Sequence, residues 1–339
     1  MRVDSRHATT EQLRLIPATY APLGADGSVD LKAIPKYASY LLERGIRDVF
    51  INGTTGESLS LTTDERLKIA EVWGNHASEL NIIVHTGHNC LPDAVALSSH
   101  AKSVGAVAIS AMAPSFLRPQ TTEDLLEFLA HLASAAPQLP FYYYHIPSLT
   151  HVPLEVDSFL QRAIDKIPSF AGIKFTHEDL GEFAQCNQKW GSRLELMFGR
   201  DELLLPALAI GARSAVGSFY NIIPEVFFAI EERLSHQDME GANQWMLYAL
   251  RYIDLCKQVG VAPAGKWLMS ERGVCGPTLR LPLVSLDQSQ QEWLREEIQR
   301  LPMPGASSER KDTPVRTPHS QPSRSGQGNQ SPESIAGER

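Results

Sequence analysis

Hydrophobic residues fall into short, nearly continuous apolar runs that alternate along the chain with longer amphipathic segments. Runs that are apolar throughout are typical of parallel strands covered on both faces. The pattern predicts eight strands, at residues 13–19, 48–52, 81–86, 106–112, 140–146, 171–175, 194–198 and 213–217. Helices are predicted between them, since residues 31–44 carry an apolar stripe and Thr62 with Glu65 fits a capping box.

Eight strand–helix units predict an α/β fold, a closed (βα)8 TIM barrel. A doubly wound sheet is the alternative, but it usually has fewer strands and a glycine-rich first turn, and no Gly-x-Gly-x-x-Gly follows the first strand. Further helical stretches at 238–259, 264–271 and 288–300 predict an appended C-terminal helical layer. The predicted domain therefore spans residues 13–301, after an N-terminal extension over 1–12.

Residues 302–339 differ in composition from the rest of the chain. Ser, Pro, Gly, Gln and Arg dominate from Met303 onward, and aromatic residues are absent from it. Because such a segment buries too little surface to offset its ordering entropy, we predict a disordered tail. An inert appendage and a phosphorylated regulatory tail remain open, since Thr313, Thr317 and Ser331 each precede a proline.

Composition narrows the function classes. Of the 339 residues, 43% are hydrophobic, and the formal charge is −8. This acidity argues against nucleic acid or an anionic membrane as a main partner. We find no signal peptide or membrane-spanning apolar run. The four cysteines show no disulfide or zinc spacing, which predicts reduced, mostly buried thiols and a cytoplasmic protein; they are Cys90, Cys186, Cys256 and Cys275.

Candidate chemistry lies where the predicted strands end, because barrel active sites are built there. Lys174 interrupts the apolar sixth strand. Burial would lower its pKa towards neutrality and make it a nucleophile for Schiff-base formation, or its head could reach solvent. Alternation places Tyr142 and Tyr144 on one face of strand five and Tyr143 on the other. Tyr144 could transfer protons or could simply pack.

Other strand ends carry less specific signals. Thr54 and Thr55, between Gly53 and Gly56, could bind a small carboxylate or form an ordinary turn. The adjacent acids Asp201 and Glu202 could bind a polyol or cap a helix. A metal is not expected at the histidines of residues 85–88, because their spacing is not a standard ligand pattern.

Three motifs in combination resemble the pyruvate-dependent class I aldolases of the dihydrodipicolinate synthase and N-acetylneuraminate lyase superfamily. They are Gly-Thr-Thr-Gly-Glu at 53–57, Tyr-His-Ile-Pro at 144–147 and Gly-Ile-Lys at 172–174. The segments 141–147, 172–176 and 215–221 are most similar to the vertebrate-type N-acetylneuraminate lyase branch. The resemblance covers about residues 13–301.

The resemblance implies reversible cleavage of N-acetylneuraminate to N-acetylmannosamine and pyruvate. It assigns Schiff-base formation to Lys174, proton transfer to Tyr144 and carboxylate binding to Thr54 and Thr55. It also assigns contacts with the sugar hydroxyls to Thr176, Gly199, Asp201, Glu202 and Ser218. It further implies that no metal or organic cofactor is needed and that the protein is a homotetramer.

Departures from the family pattern bear on specificity. Dihydrodipicolinate synthases carry an arginine where this chain has Leu149, and a Pro-Tyr-Tyr motif where it has Pro-Ser-Phe at 114–116. Both changes weigh against dihydrodipicolinate synthesis. His151 replaces a usual glycine, and Arg200 is unusual beside Asp201, so the preferred substrate stays open. The alternatives are another pyruvate-dependent 2-oxo acid aldolase, a metal-dependent class II aldolase and a non-catalytic barrel scaffold.

Overall fold

The computed structural model describes residues 13–305, so the N-terminal extension and the predicted tail from residue 306 lie outside the described residues. Eight parallel strands form one sheet, in the order β1-β8-β7-β6-β5-β4-β3-β2. A parallel bridge between Ala18 and Phe50 brings the first and last strands of this order together and closes the barrel. The strands are β1 Arg14–Pro17, β2 Asp48–Ile51, β3 Asn81–His85, β4 Ala108–Met112, β5 Phe141–His145, β6 Phe170–Phe175, β7 Glu195–Phe198 and β8 Ser214–Gly217.

The predicted TIM barrel is therefore confirmed, and each strand lies within about two residues of its predicted bounds. Helices cover the outside of the sheet between successive strands. They are α1 Ala33–Glu43, α2 Thr63–Gly74, α3 Leu91–Ser103, α4 Thr122–Ser134, α5 Pro147–Thr150, α6 Val156–Lys166, α7 Leu180–Trp190, α8 Leu204–Ala209 and α9 Pro224–Ser235. The capping box at α2 is present, since Thr62 Oγ1 accepts from the Glu65 amide at 3.2 Å and Glu65 accepts from the Thr62 amide at 2.8 Å.

Three further helices form the predicted C-terminal layer: α10 Met239–Val259, α11 Val261–Glu271 and α12 Gln288–Arg300. Helix α11 begins three residues earlier than expected. Pro263 lies in its first turn, where proline is tolerated because its missing N–H has no intrahelical partner. Within residues 13–305, every helix is too short or too polar to cross a membrane.

Apolar side chains form two cores. The larger fills the space between the sheet and the surrounding helices. The smaller lies inside the barrel and includes Ile16, Phe50, Ile83, Met197 and Val216. Three of the four cysteines are buried, Cys90 is exposed, and all four are free thiols, as expected.

A polar network fills the barrel below the inner core. The Arg14 guanidinium lies 2.6 Å from both Asp48 and Glu195, and the Tyr142 hydroxyl donates to Glu195 at 2.8 Å. These residues stand at the amino ends of their strands, so the network closes one end of the barrel. The opposite, carboxyl-terminal end is left for the candidate site.

Candidate active site

Lys174 lies inside the barrel near the carboxyl end of β6, and only 3% of its surface is exposed. Its Nζ atom lies 4.1 Å from the ring centre of Phe50 and 3.9 Å from that of Tyr144. Burial lowers the pKa of Lys174 to about 7, against an opposing contribution from Asp201. Of the two interpretations left open by the sequence, the buried one is observed. Near neutral pH this amine is divided between its charged and its nucleophilic forms.

Tyr144 is buried on the adjacent strand, in direct register with Lys174. Its hydroxyl lies 3.4 Å from Thr54 Oγ1, within hydrogen-bonding range. Burial raises the pKa of the phenol, and the Thr54 contact partly opposes this rise. Tyr143 points outward and packs on Phe159, with ring centres 4.6 Å apart. The predicted alternation of the three tyrosines is therefore observed.

The threonine loop follows β2, and a buried ion pair holds its end. Thr54 is exposed and Thr55 half-buried, while Glu57 has a left-handed backbone with φ of 53°. Lys266 of α11 donates to Glu57 at 2.9 Å, and neither side chain is more than 2% exposed. Lys266 also donates to the Ala21 carbonyl at 2.5 Å. The C-terminal helical layer thus fixes the loop that carries both threonines.

Asp201 begins a short 3-10 helix after β7 and is buried. Its carboxylate accepts from the Phe219 amide at 2.9 Å and lies 3.5 Å from the Ser218 hydroxyl, so it joins the loops after β7 and β8. It does not cap its own helix. Burial raises the pKa of Asp201 to about 6. Glu202 is half-buried, 3.9 Å from both Arg200 and Lys257.

Thr176 and Gly199 meet at the ends of β6 and β7. Thr176 is buried, and a Cβ on Gly199 would lie 2.0 Å from Thr176 Oγ1. A side chain at position 199 would therefore displace Thr176. All nine predicted site residues accordingly stand at the carboxyl ends of β2, β5, β6, β7 and β8.

Sequence reasoning missed three contributors to this site. Phe50 lies under the Lys174 amine, and His85 packs edge-on against Tyr144 with ring centres 5.8 Å apart. The His85 ring lies 3.1 Å from the Asn52 carbonyl, and burial holds its pKa well below the usual value. Lys266 is the third. Lys266 could have been noticed in the sequence as a charged residue among the apolar residues Ala264, Trp267 and Leu268.

Three residues that depart from the family pattern can also be located in the structure. His151 is exposed at the end of α5 with φ of 53°, a conformation that glycine adopts more readily. Arg200 pairs with Glu178 at 2.6 Å. Leu149 lines a cavity of about 200 Å³ beside Thr54, together with Met112 and Ser115.

Comparisons with known proteins identify relatives of this chain. A sequence profile of the Dihydrodipicolinate synthetase family matches residues 11–301. The N-acetylneuraminate lyase of Pongo abelii is 40% identical over 250 residues, which cover 73% of this chain and 78% of that protein. The N-acetylneuraminate lyase of Gallus gallus is 37% identical over 281 residues, covering 81% and 91%.

Solved structures extend the likeness to the fold. The N-acetylneuraminate lyase of Proteus mirabilis superposes with a TM-score of 0.82 at 32% identity and covers 86% of this chain and 98% of its own. The sialic acid aldolase of Aliivibrio salmonicida gives the same TM-score at 34% identity, covering 86% and 97%.

Proposed function

Because the chain belongs to the Dihydrodipicolinate synthetase family, we propose that it is a class I aldolase that cleaves N-acetylneuraminate reversibly to N-acetylmannosamine and pyruvate. The observation that carries the proposal is the Lys174 amine, buried between two aromatic rings beside the Tyr144 phenol. A pKa near 7 gives this amine a neutral, nucleophilic form at physiological pH.

In the proposed reaction, the Lys174 amine attacks the C2 ketone of the open-chain sugar acid, and loss of water forms an iminium. The C4 hydroxyl then gives its proton to the Tyr144 oxygen as the C3–C4 bond breaks, while the phenol passes its own proton to the substrate carboxylate held beside Thr54. The bonding electrons move to the iminium and form an enamine. Protonation of the enamine at C3 and hydrolysis release pyruvate and regenerate the amine.

The family resemblance assigns the substrate-binding roles, and the positions of these residues at the strand ends support the assignment. Thr54 and Thr55 would hold the pyruvyl carboxylate, since the Thr54 hydroxyl already lies 3.4 Å from the Tyr144 oxygen. The other predicted residues follow β6, β7 and β8 and would hydrogen-bond the hydroxyls of the sugar chain; they are Thr176, Gly199, Asp201, Glu202 and Ser218. Carboxylates and hydroxyls are suitable acceptors for a polyol.

Borohydride trapping tests the proposal. Incubation with pyruvate and borohydride, followed by peptide mass spectrometry, should place a reduced adduct on Lys174, and K174M protein should carry none. An unmodified Lys174 would refute the Schiff-base mechanism. An adduct without cleavage of N-acetylneuraminate, in a panel of 2-oxo acids, would instead favour another aldolase of the family. Loss of activity in EDTA together with an unmodified Lys174 would favour a class II mechanism.

We also propose that the protein is a cytoplasmic homotetramer. The loop after β4 exposes Phe116 and Leu117, each more than 80% accessible, and such side chains are typical of surfaces covered by another subunit. Four free thiols are expected of a reducing compartment. Light scattering should give four times the chain mass, and fractionation should recover the protein with cytosolic markers.

A further inference from the structure

A second group of titratable side chains lies behind the candidate site, on the outer side of the sheet. His145 is the last residue of β5, His177 follows β6, and Glu182 is in the first turn of α7. Side chains alternate along a strand, so His145 faces away from the interior that Tyr144 occupies. The donor atoms of the three residues all lie within 4.8 Å of one another.

The Nδ1 atoms of the two histidines lack hydrogen-bond partners among the described residues. His145 is 98% buried, at a relative exposure of 2%, yet its Nδ1 atom has no hydrogen-bond partner among the described residues. The Nδ1 atom of His177 is also without one, 3.9 Å from the Glu182 carboxylate. Buried polar atoms are nearly always hydrogen-bonded, because an unpaired one costs about 1–3 kcal/mol. The two nitrogens therefore indicate a ligand.

We propose that His145, His177 and Glu182 bind a divalent cation of the Zn²⁺ class on the outer side of β5 and β6. Two imidazoles and one carboxylate are a donor set that Zn²⁺ accepts, with water in the fourth position. Ideal tetrahedral donors would be about 3.4 Å apart at bond lengths of about 2.1 Å. His177 and Glu182 are both partly exposed, so they can rotate to this spacing and leave access for water.

The surroundings of the three residues suit a cation. Asp179 and Glu155 add negative charge near Glu182. One Glu182 oxygen accepts from the Val156 amide at 3.2 Å, which orients the carboxylate and leaves its second oxygen available.

The bound ion would act on the fold near the active site and take no part in the aldol chemistry. The Thr176 amide donates to the His145 carbonyl at 2.8 Å, so the two histidine ligands flank a backbone contact between β5 and β6. A metal at this position would tie together the strand ends that carry Tyr144, Lys174 and Thr176. It would also tie them to the start of α7.

The only other such cluster within residues 13–305 provides a control. It comprises His88, Cys90 and Asp93 near the surface. There the His88 Nδ1 atom already accepts from the Cys90 amide at 2.9 Å, and Asp93 accepts from the Thr63 hydroxyl at 3.1 Å. Because these donor atoms have partners, this cluster does not show the unmet bonding capacity seen at His145.

Titration of metal-free full-length protein with ZnCl₂, by calorimetry and elemental analysis, tests the proposal. We expect H177A and E182Q each to weaken one Zn²⁺ site at least about tenfold, while H88A/C90S retains it. Zn²⁺ should raise the thermal midpoint of wild type and H88A/C90S, but not of H177A. Unchanged circular dichroism of the metal-free variants would show that they fold.

Co²⁺ gives an independent readout, because its visible absorption reports the ligands directly. The band expected for wild type should disappear in H177A and persist in H88A/C90S. Absence of Zn²⁺ binding by wild type would overturn the proposal. Binding that survives in H177A, or that is lost in H88A/C90S, would overturn it equally.

Discussion

The Lys174 Nζ atom lies 3.9 Å from the centre of the Tyr144 ring because the two residues are register partners in adjacent strands. Their separation is set by the backbone hydrogen bonds of a parallel sheet. Distances between paired strands vary less than distances between residues in loops. The nucleophile and the proton carrier of the proposed reaction are therefore positioned by the most rigid part of the fold.

Removal of the Tyr144 hydroxyl should separate proton transfer from Schiff-base formation. In Y144F the ring remains beside Lys174, so borohydride should still trap pyruvate on the lysine. The kcat for cleavage of N-acetylneuraminate should fall by about 10²–10⁴-fold, the usual contribution of a positioned acid–base group. A kcat within threefold of wild type would contradict the proposed role.

The depressed pKa of Lys174 predicts a pH-dependent stability. The folded pKa is about 7 and the ordinary value 10.5, so the unfolded chain binds more protons between these pH values. The free energy of unfolding contributed by this residue should therefore rise with pH across the window and be lowest below pH 7, by about 1.4 kcal/mol per pH unit at most.

K174M supplies the reference for this measurement, since methionine has similar length and no charge. Urea denaturation at pH 7, 8 and 9 should show wild type gaining stability relative to K174M as the pH rises. A constant difference between the two proteins would mean that the lysine titrates at its ordinary pKa.

The buried pair of Glu57 and Lys266 predicts a large stability loss on removal of one partner. K266M should lower the free energy of unfolding by about 3–5 kcal/mol, because the Glu57 carboxylate stays buried without its cation. The double variant K266M/E57Q should recover part of this loss. Equal unfolding midpoints for K266M and wild type in urea would show that the pair adds no net stability.

Glu202 should affect the sugar end of the substrate more than the pyruvyl end. In the condensation direction, E202Q should raise the KM for N-acetylmannosamine by about tenfold or more, the effect of weakening a charged hydrogen bond, and leave the KM for pyruvate within twofold. E178Q is the matched control, since Glu178 also pairs with Arg200 but is not among the predicted contacts. Parallel changes in both KM values would argue against a sugar-binding role.

Local pattern was enough to predict the barrel, because each strand and helix carries its own periodicity and capping signals. The same reasoning placed Lys174 and Tyr144 at strand ends, although only the packing of Phe50 around the amine decided between burial and exposure. The partnership of Glu57 with Lys266 could not be predicted, since the residues are 209 positions apart and neither neighbourhood specifies the other.

The backbone conformation at His151 could likewise not be predicted from the sequence. His151 was noticed only as a departure from a usual glycine. The φ of 53° supplies the physical reason for that glycine and shows that the imidazole is exposed. The outward cluster of His145, His177 and Glu182 also escaped notice, because its members come from a strand, a loop and a helix.

The ion pair between the loop that carries the two threonines and the C-terminal helices also determines which part of the protein can form first during synthesis. A ribosome that adds about 5–20 residues per second completes the 209 positions between Glu57 and Lys266 only after about 10–40 s. Before that interval ends all eight barrel strands have been synthesised, but the loop that carries Thr54 and Thr55 still lacks its ion pair with α11. A nascent chain should therefore acquire its barrel before it acquires a substrate pocket, and a product shortened before α11 would be a barrel with an unfinished site.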